Sequence, residues 1–164
     1  MSSLPRIKAD LIANLDQGRA QALALVERLP PDLPVHASSD WTVRDLIIHL
    51  TALETDMVAA LQHAMDEKPF SVDLRGCGTV NELYELRREE RAGENWQQLL
   101  AEWERVRDQL RGLVIAFPID KTEITFSNPF FLDYNLVGAI HACRAHERLH
   151  LAEMRAASQD QPPT

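Results

Sequence analysis

The sequence predicts an all-α protein folded as a four-helix bundle. Four long stretches carry apolar residues at helical spacing, and no stretch alternates apolar and polar residues as a half-buried strand does. A long connection also separates the second of these stretches from the third. Long amphipathic helices without a sheet bury their apolar faces against one another, which is the architecture of a helix bundle.

The first long helix is predicted over residues 4–29. Pro5 suits a first helical turn, and Pro30 with Pro31 prevents continuation. Gly18 weakens the middle of the helix by ~1 kcal/mol relative to Ala. The apolar residues recur at spacings of three, four and seven: Leu4, Ile7, Leu11, Leu15, Ala22, Val26 and Leu29.

The second long helix is predicted over about 42–66, after a turn-rich connection at 30–41. Thr42 and Asp45 resemble a capping box in which Asp replaces Glu. One stripe of this helix contains Leu46, His49, Leu50, Leu53, Met57 and Leu61. His49 is therefore predicted to point toward the core.

The connection to the third long helix breaks the helical pattern at 67–79, which contains one proline and two glycines. Thr79 and Glu82 then form a predicted capping-box pair that opens a short helix of about 80–91. A connection of this length could return the chain to the other end of the bundle. The second and third long helices could then run parallel.

The last two long helices are predicted at 95–116 and roughly 134–157. Asn95 and Gln98 mark the start of the first of them, and Asp133 or Asn135 can cap the second. Between them, 117–133 lacks a helical period, although Ile-Thr-Phe could form a short extended piece. We predict one domain over 1–157 and a polar, proline-containing flexible tail at 158–164.

Composition and charge exclude several functional classes. Apolar residues make up 45% of the chain and charged residues 26%, as in ordinary globular proteins. A formal charge of −8 argues against nucleic-acid binding and against an anionic membrane surface. No apolar run has the length of a membrane span or a signal peptide. Two cysteines, Cys77 and Cys143, without a CxxC pattern favour a cytoplasmic protein with reduced thiols.

Three histidines form a candidate metal site. His146 and His150 lie one turn apart on the fourth long helix, and His49 projects from the second. Each neutral imidazole needs both a donor and an acceptor, so three in one core are difficult to satisfy by hydrogen bonds alone. Ordinary core histidines remain the alternative. The other histidines fit plainer roles: His36 in an exposed loop, His63 at a helix end, and His141 about 140° around the helix from His146.

Three segments resemble the DinB/YfiT-like superfamily: DWTVRDLIIHL (40–50), WQQLLAEWERVRDQL (96–110) and HERLHLAEM (146–154). This superfamily of metal-dependent bacterial proteins includes mycothiol-dependent maleylpyruvate isomerase and bacillithiol transferases. The resemblance spans about 5–157. It implies an up-down-down-up bundle and a divalent metal held by His49, His146 and His150, and we also expect a homodimer.

The chemistry of such a site follows from three imidazoles that leave coordination positions open, as in catalytic metal sites. Zn²⁺ is the favoured ion, and Ni²⁺, Fe²⁺, Co²⁺ and Mn²⁺ also accept imidazole. The ion could activate water for hydrolysis, or bind a low-molecular-weight thiol as thiolate. The resemblance favours the second reaction, in a thiol-dependent S-transferase or isomerase acting on a small molecule.

Several neighbouring residues have open interpretations. Glu147 and Glu54 are candidates for a general base or for orienting the ligands, and solvent-facing ion pairs are the alternative. Cys143 could approach the metal, or be a small buried residue. Tyr84 and Arg75 could close over the site from the crossover. The tryptophans are predicted to serve packing.

The resemblance leaves the activity open. In the maleylpyruvate isomerase branch a glutamate replaces one histidine of the fourth helix, whereas HERLH keeps both. A colibactin self-resistance branch has a similar opening motif without depending on the metal triad. A non-enzymatic small-molecule binding or stress-response module is therefore the alternative to an enzyme, and a dimeric structural protein is a third hypothesis.

Overall fold

The fold was determined from a computed structural model, which describes residues 5–36 and 39–159. Its helices are α1 (Arg6–Val26), α2 (Val43–Met65), α3 (Val80–Arg91), α4 (Trp96–Ala116) and α5 (Leu136–Gln159). No strand forms within these residues; only two isolated bridges do, Pro34 with Thr42 and Phe126 with Tyr134. The predicted all-α class is confirmed.

Polar side chains cap the N-termini of four helices, α2 to α5, at positions that the sequence predicted. The Thr42 and Asp45 capping box of α2 is complete. The box predicted for α3 is half wrong: Thr79 accepts a hydrogen bond from the Glu82 amide, but the Glu82 carboxylate accepts from the Gly78 amide, at 2.7 Å. Asn95 caps α4. Asn135, rather than Asp133, accepts a hydrogen bond from the Gly138 amide at 3.0 Å and caps α5.

The helix ends differ from the prediction by a few residues. α1 stops at Val26, before the prolines, and α5 continues to Gln159, past the predicted end at 157. A short 3₁₀ turn, Ile119–Lys121, follows Pro118 in the segment predicted to lack helix. The extended piece predicted nearby amounts to the bridge at Phe126. The remainder of the predicted tail, 160–164, lies outside the described residues.

The packing places α2 at the centre of the bundle. α2 contacts α3, α4 and α5, whereas α1 contacts α4 and α5. Lys121, just beyond α4, donates to the carbonyl of Met65, the last residue of α2, at 3.3 Å. These two helices therefore end on the same side, as expected for parallel neighbours. The complete up-down-down-up order stays a prediction.

A polar layer crosses the bundle between two apolar clusters. One cluster contains Leu15, Met57, Leu110 and Ala139, and the other contains Ala22, Leu46, Trp103 and Leu151. Along each long helix the residues between these groups include buried charged side chains or the three histidines. No helix in 5–36 or 39–159 combines the length and apolarity needed to cross a membrane.

Candidate metal centre

The three predicted histidines meet on one side of the polar layer. His49 projects from α2, and His146 and His150 project from successive turns of α5. Nε2 of His146 lies 3.1 Å from Nε2 of His49 and 3.1 Å from Nε2 of His150. One nitrogen from each ring lies within 4.8 Å of the other two. Zn–N bonds of about 2.0–2.1 Å at tetrahedral angles would place two nitrogens about 3.3 Å apart, so the spacing fits a shared ion.

Hydrogen bonds between the rings do not satisfy this cluster. Nδ1 of His150 lies 2.6 Å from the Glu153 carboxylate, which accepts its proton and leaves a lone pair on Nε2. A single proton on His146 Nε2 can serve only one of its two neighbours. Nδ1 of His49 and Nδ1 of His146 are buried and have no hydrogen-bond partner in the described part of the chain. A cation that accepts three lone pairs resolves the contacts at Nε2.

The surroundings keep two of the rings neutral. Burial, and to a smaller extent His146 and His150, lowers the pKa of His49 to about 3. Burial, followed by His150, lowers the pKa of His146 to about 4. Both imidazoles are therefore uncharged at pH 7. This is the form that binds metal, because a protonated ring nitrogen has no lone pair to offer.

Glu153 orients His150 from the next turn of α5. The 2.6 Å contact to Nδ1 fixes the ring so that Nε2 faces the other histidines. The same carboxylate lies 3.6 Å from Nε2 of His36, whose side chain is 34% exposed. The prediction of His36 as a freely exposed loop residue was therefore wrong, and Glu153 was missed. Its spacing of three residues from His150 was the available signal.

A cavity of about 400 Å³ opens beside His49 and His150. Its apolar walls include Trp41, Leu46 and Tyr84, and α3 contributes Tyr84 together with Asn81 and Glu85. The ring centroid of His49 lies 4.7 Å from that of Tyr84 and 5.5 Å from that of Trp41. The short crossover helix thus covers the histidines, as the sequence suggested for Tyr84.

Glu54 and Glu147 lie in the polar layer but bind arginines. Arg107 donates from Nε to Glu54 Oε1 at 2.8 Å and from Nη2 to Glu147 Oε1 at 3.0 Å. Glu54 is 4% exposed, Glu147 is 2% exposed and Arg107 is 3% exposed. The solvent-facing ion pairs considered from the sequence are therefore wrong. Both carboxylates bind guanidinium groups, and neither forms a hydrogen bond to His49, His146 or His150.

Two further arginines complete this buried cluster. Arg19 Nη2 donates to Glu54 Oε2 at 3.1 Å and its Nη1 to the Trp103 carbonyl at 2.7 Å. Arg144 donates to Glu147 Oε2 and, at 3.0 Å, to Asn14. A Cβ atom at Gly18 would collide with the Arg144 guanidinium, which explains why α1 carries glycine there. Sequence reasoning considered Arg144 only as the partner in a solvent-facing ion pair. It missed Arg19 and Arg107, although Arg107 shares the apolar stripe of Trp103 and Leu110.

The other residues considered from the sequence lie outside the histidine cluster. Cys143 is 3% exposed, and burial raises the pKa of its thiol, as expected for a small core residue. Arg75 pairs with Glu90 at 2.7 Å on the surface, so its predicted place over the site was wrong. His63 contacts the Pro69 carbonyl at 2.7 Å, and His141 is exposed on α5. Neither joins the cluster of three.

Comparison with protein families identifies the chain. A family model described as the DinB superfamily matches residues 14–154, which is most of the sequence. The chain belongs to the DinB superfamily. The match includes all three histidines of the cluster. No curated protein matches the sequence.

Solved structures share this DinB fold across nearly the whole chain. An uncharacterised protein from Escherichia coli UTI89 is 16% identical with a TM-score of 0.72, covering 98% of this chain and 97% of its own. An uncharacterized protein from Clostridium difficile 630 is 11% identical with a TM-score of 0.77, at 94% and 97% coverage. A Streptococcus pneumoniae protein is 11% identical with a TM-score of 0.75, at 93% and 90%. At these identities the likeness concerns the fold alone.

Proposed function

We propose that this DinB protein is a metal-dependent enzyme in which His49, His146 and His150 hold one divalent cation. The observation that carries the proposal is the convergence of three Nε2 atoms, including two contacts of 3.1 Å that the rings cannot satisfy by themselves. Known members of the superfamily bind metals. The donor set of neutral imidazoles favours Zn²⁺, with Ni²⁺, Fe²⁺, Co²⁺ or Mn²⁺ as other occupants.

The reaction we propose is transfer or isomerisation of a small molecule with the help of a low-molecular-weight thiol, with hydrolysis as the other class. A bound ion would supply a thiolate, or a hydroxide from water with a pKa near 7. The chain contributes orientation: Glu153 keeps the proton on His150 Nδ1. Trp41 and Tyr84 give the cavity beside the histidines apolar walls. We do not propose Glu54 or Glu147 as the base, because arginines occupy their oxygens.

Elemental analysis tests the metal site directly. Protein purified without chelator is expected to carry about one divalent ion per chain, and His49→Ala is expected to lose it. His141→Ala is the matched control, because His141 is exposed on the same helix as two of the ligands. The proposal fails if wild-type protein takes up no stoichiometric metal after loading with each candidate ion, or if His49→Ala retains it.

A binding module without turnover is the second candidate function, and a separate cavity favours it. This cavity of about 550 Å³ has Phe70, Phe117 and Phe126 in its walls, and none of the described residues that line it is a histidine. Its volume lies within the ~300–1,000 Å³ of ligand pockets. Ligands that raise the melting temperature of a triple-histidine variant as much as that of wild type would favour this function.

We also propose a homodimer in the cytoplasm with no nucleic-acid partner. The dimer is supported by exposed apolar side chains at Phe131, Leu132 and Leu149, which are 64%, 58% and 55% exposed. Sedimentation velocity on wild type and Leu149→Lys tests it. A monomer at all concentrations would contradict the dimer. The location and the lack of a nucleic-acid partner rest on cysteine usage and net charge.

A further inference from the structure

The cavity beside the histidines has walls that favour an uncharged ligand. Its volume of about 400 Å³ is near the lower end of the ~300–1,000 Å³ range of ligand pockets, so a ligand must be small. Trp41, Leu46 and Tyr84 give it aromatic and aliphatic surfaces. None of the described residues that line it is a lysine or an arginine.

Two guanidinium groups lie behind the aromatic walls, but neighbouring carboxylates already pair with both. Arg87 lies 5.5 Å from the Tyr84 ring and contacts Asp56 through Nη1 at 2.7 Å and Nη2 at 3.2 Å. This bidentate pair leaves Arg87 with little net attraction for an incoming anion. Its charge therefore does not make the cavity a site for carboxylates.

Arg88 is surrounded by more negative charge than it carries. It lies 5.7 Å from the Trp41 ring and contacts Glu85 at 2.9 Å, Asp40 at 3.6 Å and Asp45 at 3.8 Å. Glu85 also accepts a hydrogen bond from the Trp41 indole at 2.9 Å, which holds its carboxylate at the cavity wall. A second negative charge on a ligand would meet these carboxylates, since like charges repel across a partly desolvated gap.

A second carboxylate, Glu153, lies behind two of the histidines that line the cavity. Glu153 lies between His150, at 2.6 Å, and His36, at 3.6 Å, and both histidines line the cavity. An ion held by the histidines adds positive charge, but a thiolate bound to that ion would take up part of it. The rest of the ligand would then lie among apolar surfaces bordered by carboxylates.

We propose that the cavity selects small neutral aryl or alkyl thiols and discriminates against thiols that carry a carboxylate. The selection rests on the proposed function, because the thiol head group needs the ion at His49, His146 and His150. It goes beyond that function by assigning the rest of the ligand an uncharged, apolar character. The residues responsible are Glu85 and Glu153 as the acidic groups and Trp41 and Tyr84 as the apolar walls.

A matched pair of thiols tests this selection on cobalt-loaded protein. 4-Mercaptobenzamide and 4-mercaptobenzoate have the same ring and thiol and differ in one charge. Titrations followed by the thiolate-to-cobalt absorption band are expected to show that the amide binds at least ~10-fold more tightly, the effect of one repulsive contact near a protein surface. Equal or tighter binding of the benzoate overturns the selection while leaving the metal site intact. Failure to take up cobalt overturns the proposed function and this inference with it.

A positive charge added to the cavity wall should weaken the preference for the neutral thiol. Asn81 lines the cavity from α3 and is exposed, so Asn81→Lys adds a cation without removing a buried contact. We expect benzoate affinity to rise several-fold, while benzamide affinity changes by less than about twofold. Gln109→Lys, on the exposed face of α4, makes the same charge change away from the cavity and should alter neither affinity. An Asn81→Lys protein with unchanged benzoate binding would overturn the assignment of the ring to this cavity.

Discussion

The arginine–glutamate cluster and the histidine cluster lie in the same polar layer, but they differ in how their acidic or basic groups are satisfied. In the first cluster Arg19 Nε lacks a hydrogen-bond partner among the described residues, but the carboxylates do not. Every carboxylate oxygen of Glu54 and Glu147 accepts from a guanidinium group. The histidines instead direct three Nε2 atoms at one another, and two of their Nδ1 atoms have no partner among residues 5–36 and 39–159. We infer that the arginine–glutamate cluster holds the helices in register, whereas the histidine cluster requires an additional group.

The difference between the two clusters would be disproved most clearly if Arg107, the central arginine, could be replaced without a loss of stability. Arg107→Ala leaves Glu54 and Glu147 buried without their shared partner, and we expect a loss of about 3–5 kcal/mol in the free energy of unfolding. Urea unfolding measures it. Arg111→Ala breaks an exposed pair with Asp16 and should cost less than about 1 kcal/mol. Similar losses for both variants would show that the buried cluster is not structural.

Glu153 provides a test on the histidine side. Glu153→Ala removes the acceptor that fixes His150, and we expect metal affinity to fall about 10–100-fold, the range found for residues that orient metal ligands. Glu153→Gln keeps an acceptor oxygen and should lose less. Competition with a metal-binding dye measures both affinities. Unchanged affinity in the alanine variant would mean that His150 is oriented by packing alone.

A substitution at Gly18 tests the role of Arg144 in the buried cluster. Although Ala normally stabilises a helix by up to ~1 kcal/mol relative to Gly, a Cβ at position 18 would displace the Arg144 guanidinium. We expect Gly18→Ala to destabilise the fold by about 1–2 kcal/mol, as overpacking does. Gly112→Ala is the control, since a Cβ there meets open space and should stabilise α4. Thermal melts of both variants should therefore shift in opposite directions, and a shift of both to higher temperature would contradict the account.

The smallest change in the free energy of unfolding is expected when a histidine is replaced in the metal-free protein. His146→Leu eliminates a partly buried ring whose Nδ1 has no partner in the described residues, so the free energy of unfolding should change by less than about 1 kcal/mol. Urea unfolding with chelator present isolates this effect. A loss as large as that of Arg107→Ala would show that the histidines already satisfy one another.

Much of the fold and the outline of the histidine cluster could be predicted because both depend on local spacing. The cap at Thr42, the stripe containing His49 and the one-turn spacing of His146 and His150 are properties of single helices. The interior arginines could not be predicted in the same way, since arginine is rarely buried without partners on other helices. Arg107 lies on an apolar stripe, but its acceptors come from α2 and α5, a long-range arrangement that helical periodicity does not encode.

The most direct test of the account is a zinc-edge anomalous difference map from crystals grown with Zn²⁺. We expect one strong peak bonded to Nε2 of His49, His146 and His150, with density for water or a ligand toward the cavity lined by Trp41 and Tyr84. A map without a peak at the histidines, in crystals that contain zinc elsewhere, would contradict it.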